Sequence, residues 1–400
     1  MEHSSEKLIL LQSNDSSTSS LLAFGIVSEC VGVDDGHDLN KLQQFIDDTK
    51  DWCFGYLSYD LKNQIEELHT SNPDQLFFHS LHFIQPKLVA EWKNDELIIH
   101  YFGDENEADA LSKLFSDQAL PAFESPKIKL QADIPSSAYL RDIMSLKSHI
   151  QQGDIYEINY CMQFAATGNI SAYDVWRELN RKTKAPFASF VQLDPHYLLC
   201  ASPERYLRRE GNRVVSQPIK GTQRRSTNQQ EDLELIEALR NDPKERAENI
   251  MITDLVRNDL SKSAENGSVK VDQLCEVHSF QTVHQLISTV SCTVPENCSF
   301  TQLIKDTFPM GSMTGAPKIS AMKLIESHEK MQRGLYSGSV GYIRPNGDFD
   351  FNVVIRSILY NREKNYLSAM VGGAITAASQ PESEYQECLL KAQALLTTLS

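Results

Sequence analysis

The sequence predicts an α+β fold made of mainly antiparallel sheets flanked by helices, and three observations lead there. Short strand patterns occur at hairpin spacing, most clearly residues 187–193 and 197–201 across Asp194-Pro195. Long amphipathic helix patterns lie among them without the regular strand-helix alternation that a parallel sheet requires. Neither GxGxxG nor a GxxxxGK[ST] loop occurs, which removes the common nucleotide-binding α/β frameworks.

In chain order, residues 8–130 read as short strands and helices, such as the alternating Leu97-Ile98-Ile99-His100-Tyr101-Phe102 after the turn-like Lys93-Asn94-Asp95. A polar stretch over 121–137 carries Pro121, Pro126 and Pro135 and separates an N-terminal subdomain, 1–130, from a second region, 137–398. Ser136-Ser137 then leads into a helix over 138–152, with Tyr139, Ile143, Leu146 and Ile150 on one face and Gly153 as its stop. A strand over 155–164 follows, then a helix ending at 180–184 and the hairpin already noted. Further strands are expected at 206–209, 214–217, 269–271, 337–343, 349–359 and 366–371. No fixed-period repeat or low-complexity tract interrupts them.

With 400 residues, 41% of them hydrophobic, and only 15 Pro and 18 Gly, the chain can bury a large core. A net charge of -16 excludes a polyanionic partner, because phosphate backbones are held by clustered Lys and Arg. The opening Met1-Glu2-His3-Ser4-Ser5-Glu6-Lys7 lacks a basic, apolar leader, and no uncharged run reaches the ~20 residues a bilayer requires. A soluble cytoplasmic protein is expected. Eight scattered cysteines without a CxxC pair read as small buried hydrophobes.

Chemistry concentrates in the second region. Glu245 and Glu248 fall three apart at the start of a helix reaching about Val256, and Glu384, Glu387 and Lys391 share a face in the same way. Two such acidic faces, if they converge, supply the hard oxygen ligands that Mg²⁺ prefers; solvated helix faces have the same spacing. Lys220, at the end of a strand and ahead of Gly221, is a nucleophile if burial disfavours its ammonium form, and a plain surface lysine if not. Glu204, at the turn Ser202-Pro203-Glu204-Arg205, is a general acid only in an apolar setting. The Gly-rich run 308–318 leads through Pro317 into a helix reaching His328, whose start suits an anion or is simply capped. Arg356, on the strand 351–359, can grip a carboxylate through two hydrogen bonds or form an ordinary salt bridge.

Together these pieces carry a resemblance. Gly153-Asp154-Ile155-Tyr156, Ser202-Pro203-Glu204-Arg205, Pro218-Ile219-Lys220-Gly221-Thr222, Arg246-Ala247-Glu248-Asn249, Asp254-Leu255-Val256-Arg257-Asn258-Asp259, Thr314-Gly315-Ala316-Pro317-Lys318, Ser339-Val340-Gly341-Tyr342 and Glu384-Tyr385-Gln386-Glu387 resemble, in order, the motifs of the chorismate-binding enzymes. That family includes anthranilate, aminodeoxychorismate, isochorismate and salicylate synthases. Gly55-Tyr56-Leu57-Ser58-Tyr59-Asp60 is similar to its less specific N-terminal motif. The resemblance implies an anthranilate-synthase-like layered fold, two antiparallel sheets flanked by helices, with 137–398 as the catalytic domain. It implies Mg²⁺ on Glu248 and Glu387, with Glu245 and Glu384 in support, gripping the ring carboxylate of chorismate. Arg356 and Tyr342 would hold the enolpyruvyl carboxylate, Gly221, Thr222, Gly372 and Gly373 would line the pocket, and Lys391 would touch a substrate carboxylate.

Within the family, Lys220 resembles the aminodeoxychorismate synthases, where anthranilate synthases commonly carry alanine. The implied chemistry makes Lys220 the nucleophile and Glu204 the acid. No glutamine-hydrolysing domain is visible, so ammonia is expected from a partner glutaminase subunit, and tryptophan feedback is not expected. Anthranilate formation, a silent chorismate-binding relative and, through a Schiff base on Lys220, a pyridoxal phosphate aminotransferase are the competing readings. Three departures stand out. Glu157 replaces the Gln of aminating relatives and the Lys of water-using ones, a negative charge that would keep Lys220 protonated. Gln285 stands in the place of a histidine near the ring, and Ala374 and Ala378 replace Gly and Asp of a pocket loop.

Overall fold

The computed structural model describes residues 7–15, 18–93, 96–103, 122–281 and 283–400. Asn94, Asp95 and Pro121, which mark the expected turn and the start of the expected boundary, lie outside them, as do Met1 to Glu6. Two sheets, of 11 and 10 strands, carry the fold, and all their pairings among the described residues are antiparallel. The first runs from Glu157–Thr167 through Tyr366–Ile375, Ser357–Asn361, His196–Ser202 and Phe187–Leu193 to the N-terminal strands Leu8–Gln12 and Ser20–Phe24. The second includes Ile219–Arg224, Val283–Thr293, Arg213–Gln217, Arg205–Glu210, Phe349–Asn352, Ser339–Ile343 and Cys53–Leu57. Strands from both sides of the 121–137 stretch therefore share each sheet.

Alternation along the strands sets the layers. Leu8 and Leu10 belong to one apolar cluster and Ile9 to the other, as do Leu199 and Leu198, because successive side chains leave a strand on opposite faces. Between the sheets, Ile9, Val191 and Leu198 meet Tyr56, Leu207 and Val340, and the same cluster reaches the helices Pro243–Ser261 and Phe300–Thr307 through Ile252 and Ile304. The far face of the first sheet is covered by Ser136–Gln152, Ala172–Thr183 and Pro381–Leu399, which bury Tyr139, Trp176 and Leu395. Gly153 ends the first of these in a left-handed conformation, as its sequence position predicts. No described helix is long and apolar enough to cross a membrane.

The chain changes sheet at two adjacent places. His196–Ser202 in the first sheet gives way to Arg205–Glu210 in the second, and Phe349–Asn352 in the second to Ser357–Asn361 in the first. The crossings are tied together: Val353 N–H donates to the Glu204 carbonyl at 3.0 Å, and Ala201 N–H to the Arg356 carbonyl at 3.2 Å. The single strand expected over 349–359 is thus two strands, and Arg356 lies in the crossing with φ of 53°. Unbroken β-propensity hides such a crossing, because both halves are buried strand.

Candidate active site

A cleft opens where the two crossings meet the starts of helices Pro243–Ser261 and Pro381–Leu399, one on each sheet's side. Asp242 caps the first helix, accepting from the Lys244 and Glu245 backbone N–H groups at 2.9 and 3.0 Å, and Pro243 occupies its first turn. This cap fixes Lys244, Glu245 and Glu248 along one wall. Glu384, Glu387 and Lys391 descend the other helix opposite them.

Lys220 enters from the floor. It lies inside Ile219–Arg224, after the break at Pro218, so the expected position at the end of a strand is corrected to the start of the next one. The pairing with Val283–Thr293 slips between Lys220 and Thr222, and Gly221 sits in the bulge with φ of +81°. A Cβ there would come 3.1 Å from Glu245 Oε2, in a backbone conformation that side chains rarely adopt. Lys220 Nζ donates to Glu157 Oε1 at 2.9 Å. Burial alone would lower the lysine's pKa, but Glu157, Glu248 and Glu204 outweigh it and raise it. Desolvation acts in the expected direction, but the acids outweigh it, and Lys220 is held protonated as the charge of Glu157 implies.

Glu204 is 5% exposed in the first crossing, and its Oε1 accepts from Ser312 Oγ at 2.7 Å. Burial pushes its pKa up to about 7, against the pull of that bond and of Lys220. Glu248, 7% exposed, is likewise pushed to about 7, first by burial and further by Glu157 and Glu245, while Lys220 and Lys244 pull it down. Burial and the charge of Glu387 raise Glu245. For Glu387, burial acts upward, yet Lys391 at 2.7 Å, with Lys244 and Lys220, holds it below its ordinary value. Lys244 Nζ lies 3.2 Å from Glu384 Oε1 and 3.8 Å from Glu248 Oε1, so a lysine bridges the two acidic walls. Glu248 Oε1 has no hydrogen-bond partner. No three acidic, histidine or cysteine side chains among the described residues stand close enough to share one ion.

A model of the chorismate binding enzyme family matches residues 12–397. The chain belongs to the chorismate-binding enzymes. It is 34% identical to anthranilate synthase component 1 of Thermus thermophilus, over 86% of this chain and 76% of that protein. It is 37% identical to aminodeoxychorismate synthase component 1 of Klebsiella aerogenes over 67% of this chain, and 36% identical to the chloroplastic aminodeoxychorismate synthase of Arabidopsis thaliana over 86%. The chain spans 59% of the Klebsiella protein and 40% of the Arabidopsis one. Among solved structures, anthranilate synthase component I from Streptococcus pneumoniae superposes with a TM-score of 0.82 at 24% identity, covering 95% of this chain and 92% of that one. The menaquinone-specific isochorismate synthase of Escherichia coli gives 0.79 at 18%, covering 98% and 89%. These likenesses establish the layered fold.

In this chorismate-binding enzyme the cleft gathers Lys220, Glu204, Gly221, Thr222, Arg356, Gly372, Lys391, Glu245, Glu248, Glu384 and Glu387. Gly373 is adjacent: a Cβ on it would lie 3.5 Å from Glu384 Oε2 and 3.9 Å from Lys391 Nζ. Gln285 and Ala374 also line it. Tyr342 does not. It packs in tilted ring contacts against Trp52 and Phe54 and lies under Arg344, in a separate hollow with Ser13, Arg208 and Asp350. Its neighbour on Ser339–Ile343, Gly341, pairs within the second sheet, so the strand carries Tyr342 away from the crossings. The tyrosine beside Arg356 is Tyr336, 3% exposed and ahead of that strand. Its signal in the sequence is Leu335-Tyr336-Ser337-Gly338, an aromatic held in a turn before a strand. No carboxylate among the described residues pairs with Arg356, which leaves its guanidinium to an incoming anion. Lys244, Ser312 and Asn159 are the other cleft groups that sequence reading passed over. Lys318, in the Gly-rich run, is paired with Asp259 and bonded to the Thr307 carbonyl at 3.0 Å.

Proposed function

We propose that this chain is the synthase component of an aminodeoxychorismate synthase, converting chorismate and ammonia to 4-amino-4-deoxychorismate on the route to p-aminobenzoate and folate. The observation that carries the reading is a largely buried lysine, Lys220, sharing the cleft with a buried carboxyl, Glu204, whose pKa of about 7 keeps a substantial share of it protonated at neutral pH. That pair supplies a nucleophile and an acid in one cleft. Lys220 Nζ bonds to C2 of the ring as Glu204 gives its proton to the departing C4 hydroxyl. Ammonia then adds at C4, the C2–N bond breaks and Lys220 is released. The product keeps its enolpyruvyl group, and a separate lyase acts next.

Arg356 and Lys391 hold the substrate carboxylates, with Tyr336 beside Arg356. Glu248 and Glu387, backed by Glu245 and Glu384, would hold Mg²⁺, which when bound supplies positive charge for the ring carboxylate. The fit rests on Glu248, whose buried Oε1 lacks a hydrogen-bond partner and whose pKa is raised by burial and, to a lesser degree, by Glu157 and Glu245. A hard cation relieves both, and a site with few protein ligands and several waters is what Mg²⁺ accepts. Ammonia comes from a partner glutaminase; the "component 1" naming of the relatives supports a second component.

The Thermus relative favours a second reading, anthranilate synthesis. Incubation with chorismate, Mg²⁺ and ammonium, followed by product identification, separates them: aminodeoxychorismate is expected, and fluorescent anthranilate overturns the proposal. Lys220→Ala should slow amination by roughly 10²-fold or more while chorismate still binds. Unchanged turnover in that variant rules out a covalent role for the lysine.

A further inference from the structure

The Lys220–Glu157 contact goes beyond holding a side chain in place. Glu157 opens the strand Glu157–Thr167, pinned between Ala316 on one side and the strand Tyr366–Ile375 on the other, and is 1% exposed. Its Oε1 takes the 2.9 Å bond from Lys220 Nζ, and its Oε2 has no hydrogen-bond partner among the described residues. A purely structural buried ion pair satisfies the remaining lone pairs, because an unsatisfied buried carboxylate oxygen carries a desolvation cost. This one leaves unpaired the second oxygen of the carboxylate that holds the reacting amine.

We infer that Glu157 is the proton acceptor, and later the proton donor, of Lys220. The inference rests on the reading of Lys220 as nucleophile. An ammonium has no lone pair, so Lys220 must lose a proton before it attacks, and the base already bonded to it is Glu157, 2.9 Å away. The proton passes along the existing bond from Nζ to Glu157 Oε1. The neutral amine forms the C2–N bond while the C4–O bond breaks, and Glu204 completes the departing water. The adduct is a secondary ammonium, Glu157 is neutral and Glu204 is a carboxylate, so charge is conserved. When ammonia adds at C4 the C2–N bond breaks and Lys220 leaves as a neutral amine. It recovers its proton from Glu157, and the new C4 ammonium returns one to Glu204. Chorismate and ammonia have become aminodeoxychorismate and water, with both acids restored.

The other charged groups facing Lys220 are Glu204 from the crossing, Glu245 and Glu248 from the helix Pro243–Ser261, and Glu387 from Pro381–Leu399. None of these is within hydrogen-bond reach of Nζ among the described contacts; Glu157 is.

The test compares wild type, Glu157→Gln and Glu157→Asp in ammonium-dependent turnover, with product identification, pH profile and melting temperature. E157Q keeps the shape and a hydrogen bond but accepts no proton. It is expected to lose roughly 10²-fold in kcat with KM for chorismate within about twofold, and its optimum should move to higher pH because solvent base must now free the amine. E157D should regain part of the rate and the wild-type profile. If the carboxylate merely restrains Lys220 as ammonium, its removal frees the amine, and E157Q turns over as fast as wild type or faster. That result, an unshifted profile, or an E157D no better than a folded E157Q overturns the inference. A wild type that makes no aminodeoxychorismate, or a Lys220→Ala that does so at full rate, instead defeats the functional reading on which it stands.

Discussion

The acid of the proposed reaction, Glu204, has a charge state set by its burial in a crossing between sheets, against the opposing pull of the Ser312 hydroxyl, the Lys220 charge and the Ile219 backbone. Its folded pKa of about 7 lies above the ordinary 4.5. A raised value means that the folded state binds the proton more tightly than the unfolded chain. The associated stabilisation is complete below about 4.5 and is lost as pH rises through about 7. Activity follows the same proton: turnover should fall on the alkaline side of about pH 7 in wild type, and Glu204→Gln should lose both the limb and most of the rate. A pH–rate profile with no break between pH ~6 and ~8 would count against Glu204 as the acid. Residue types and their order were enough to nominate this group, as with Lys220 and the four glutamates. The Tyr342 assignment shows the limit. Tyr336 precedes the strand Ser339–Ile343 and Tyr342 lies within it, and only the path of that strand decides which ring turns toward Arg356.

At the scale of elements, one buried hub holds the cleft floor in register. Arg333, 2% exposed, donates from Nε and Nη2 to Glu329 at 2.9 and 2.6 Å, from Nη1 to the Met313 carbonyl at 2.6 Å and from Nη2 to the Asn159 carbonyl at 2.9 Å. Glu329 Oε1 in turn accepts the Cys161 N–H at 2.9 Å. The helix C-terminus, the Gly-rich run that carries Ser312, and the strand that carries Glu157 are thereby locked together. Breaking a buried pair by removing one partner costs about 3–5 kcal/mol, since the other charge stays buried and unpaired. Arg333→Met should lose stability of about that size in denaturant unfolding, and adding Glu329→Leu should restore part of it. A loss under about 1 kcal/mol would show that the hub does not bear on the floor. Helices and hairpins were legible because periodicity and caps are local; Gly153 and the hairpin at Asp194-Pro195 fall where they were expected. The hub, the bulge at Gly221 and the break inside 349–359 were not, because each depends on which sheet the next residues join.

For the molecule as a whole, the cleft is a seam. Glu245 and Glu248 ride on a helix packed with the second sheet's side, and Glu384 and Glu387 on a helix that covers the first sheet. The two acidic walls are bridged by Lys244, and burial together with neighbouring charge drives Glu248 toward its protonated form. A divalent cation and a ring dicarboxylate bound between them would tie the layers together and bind only the folded chain. Such a ligand at a hundredfold over its Kd stabilises by about 2.7 kcal/mol. Mg²⁺ with chorismate should therefore raise the melting temperature by a few degrees, more than either alone, in thermal unfolding at neutral pH. Glu248→Gln removes a ligand charge while keeping the side chain's volume, so the shift with Mg²⁺ and chorismate should shrink to that seen with chorismate alone. A change of Glu237, exposed on a helix away from the cleft, should leave it intact. Equal shifts in the two variants would place the cation elsewhere.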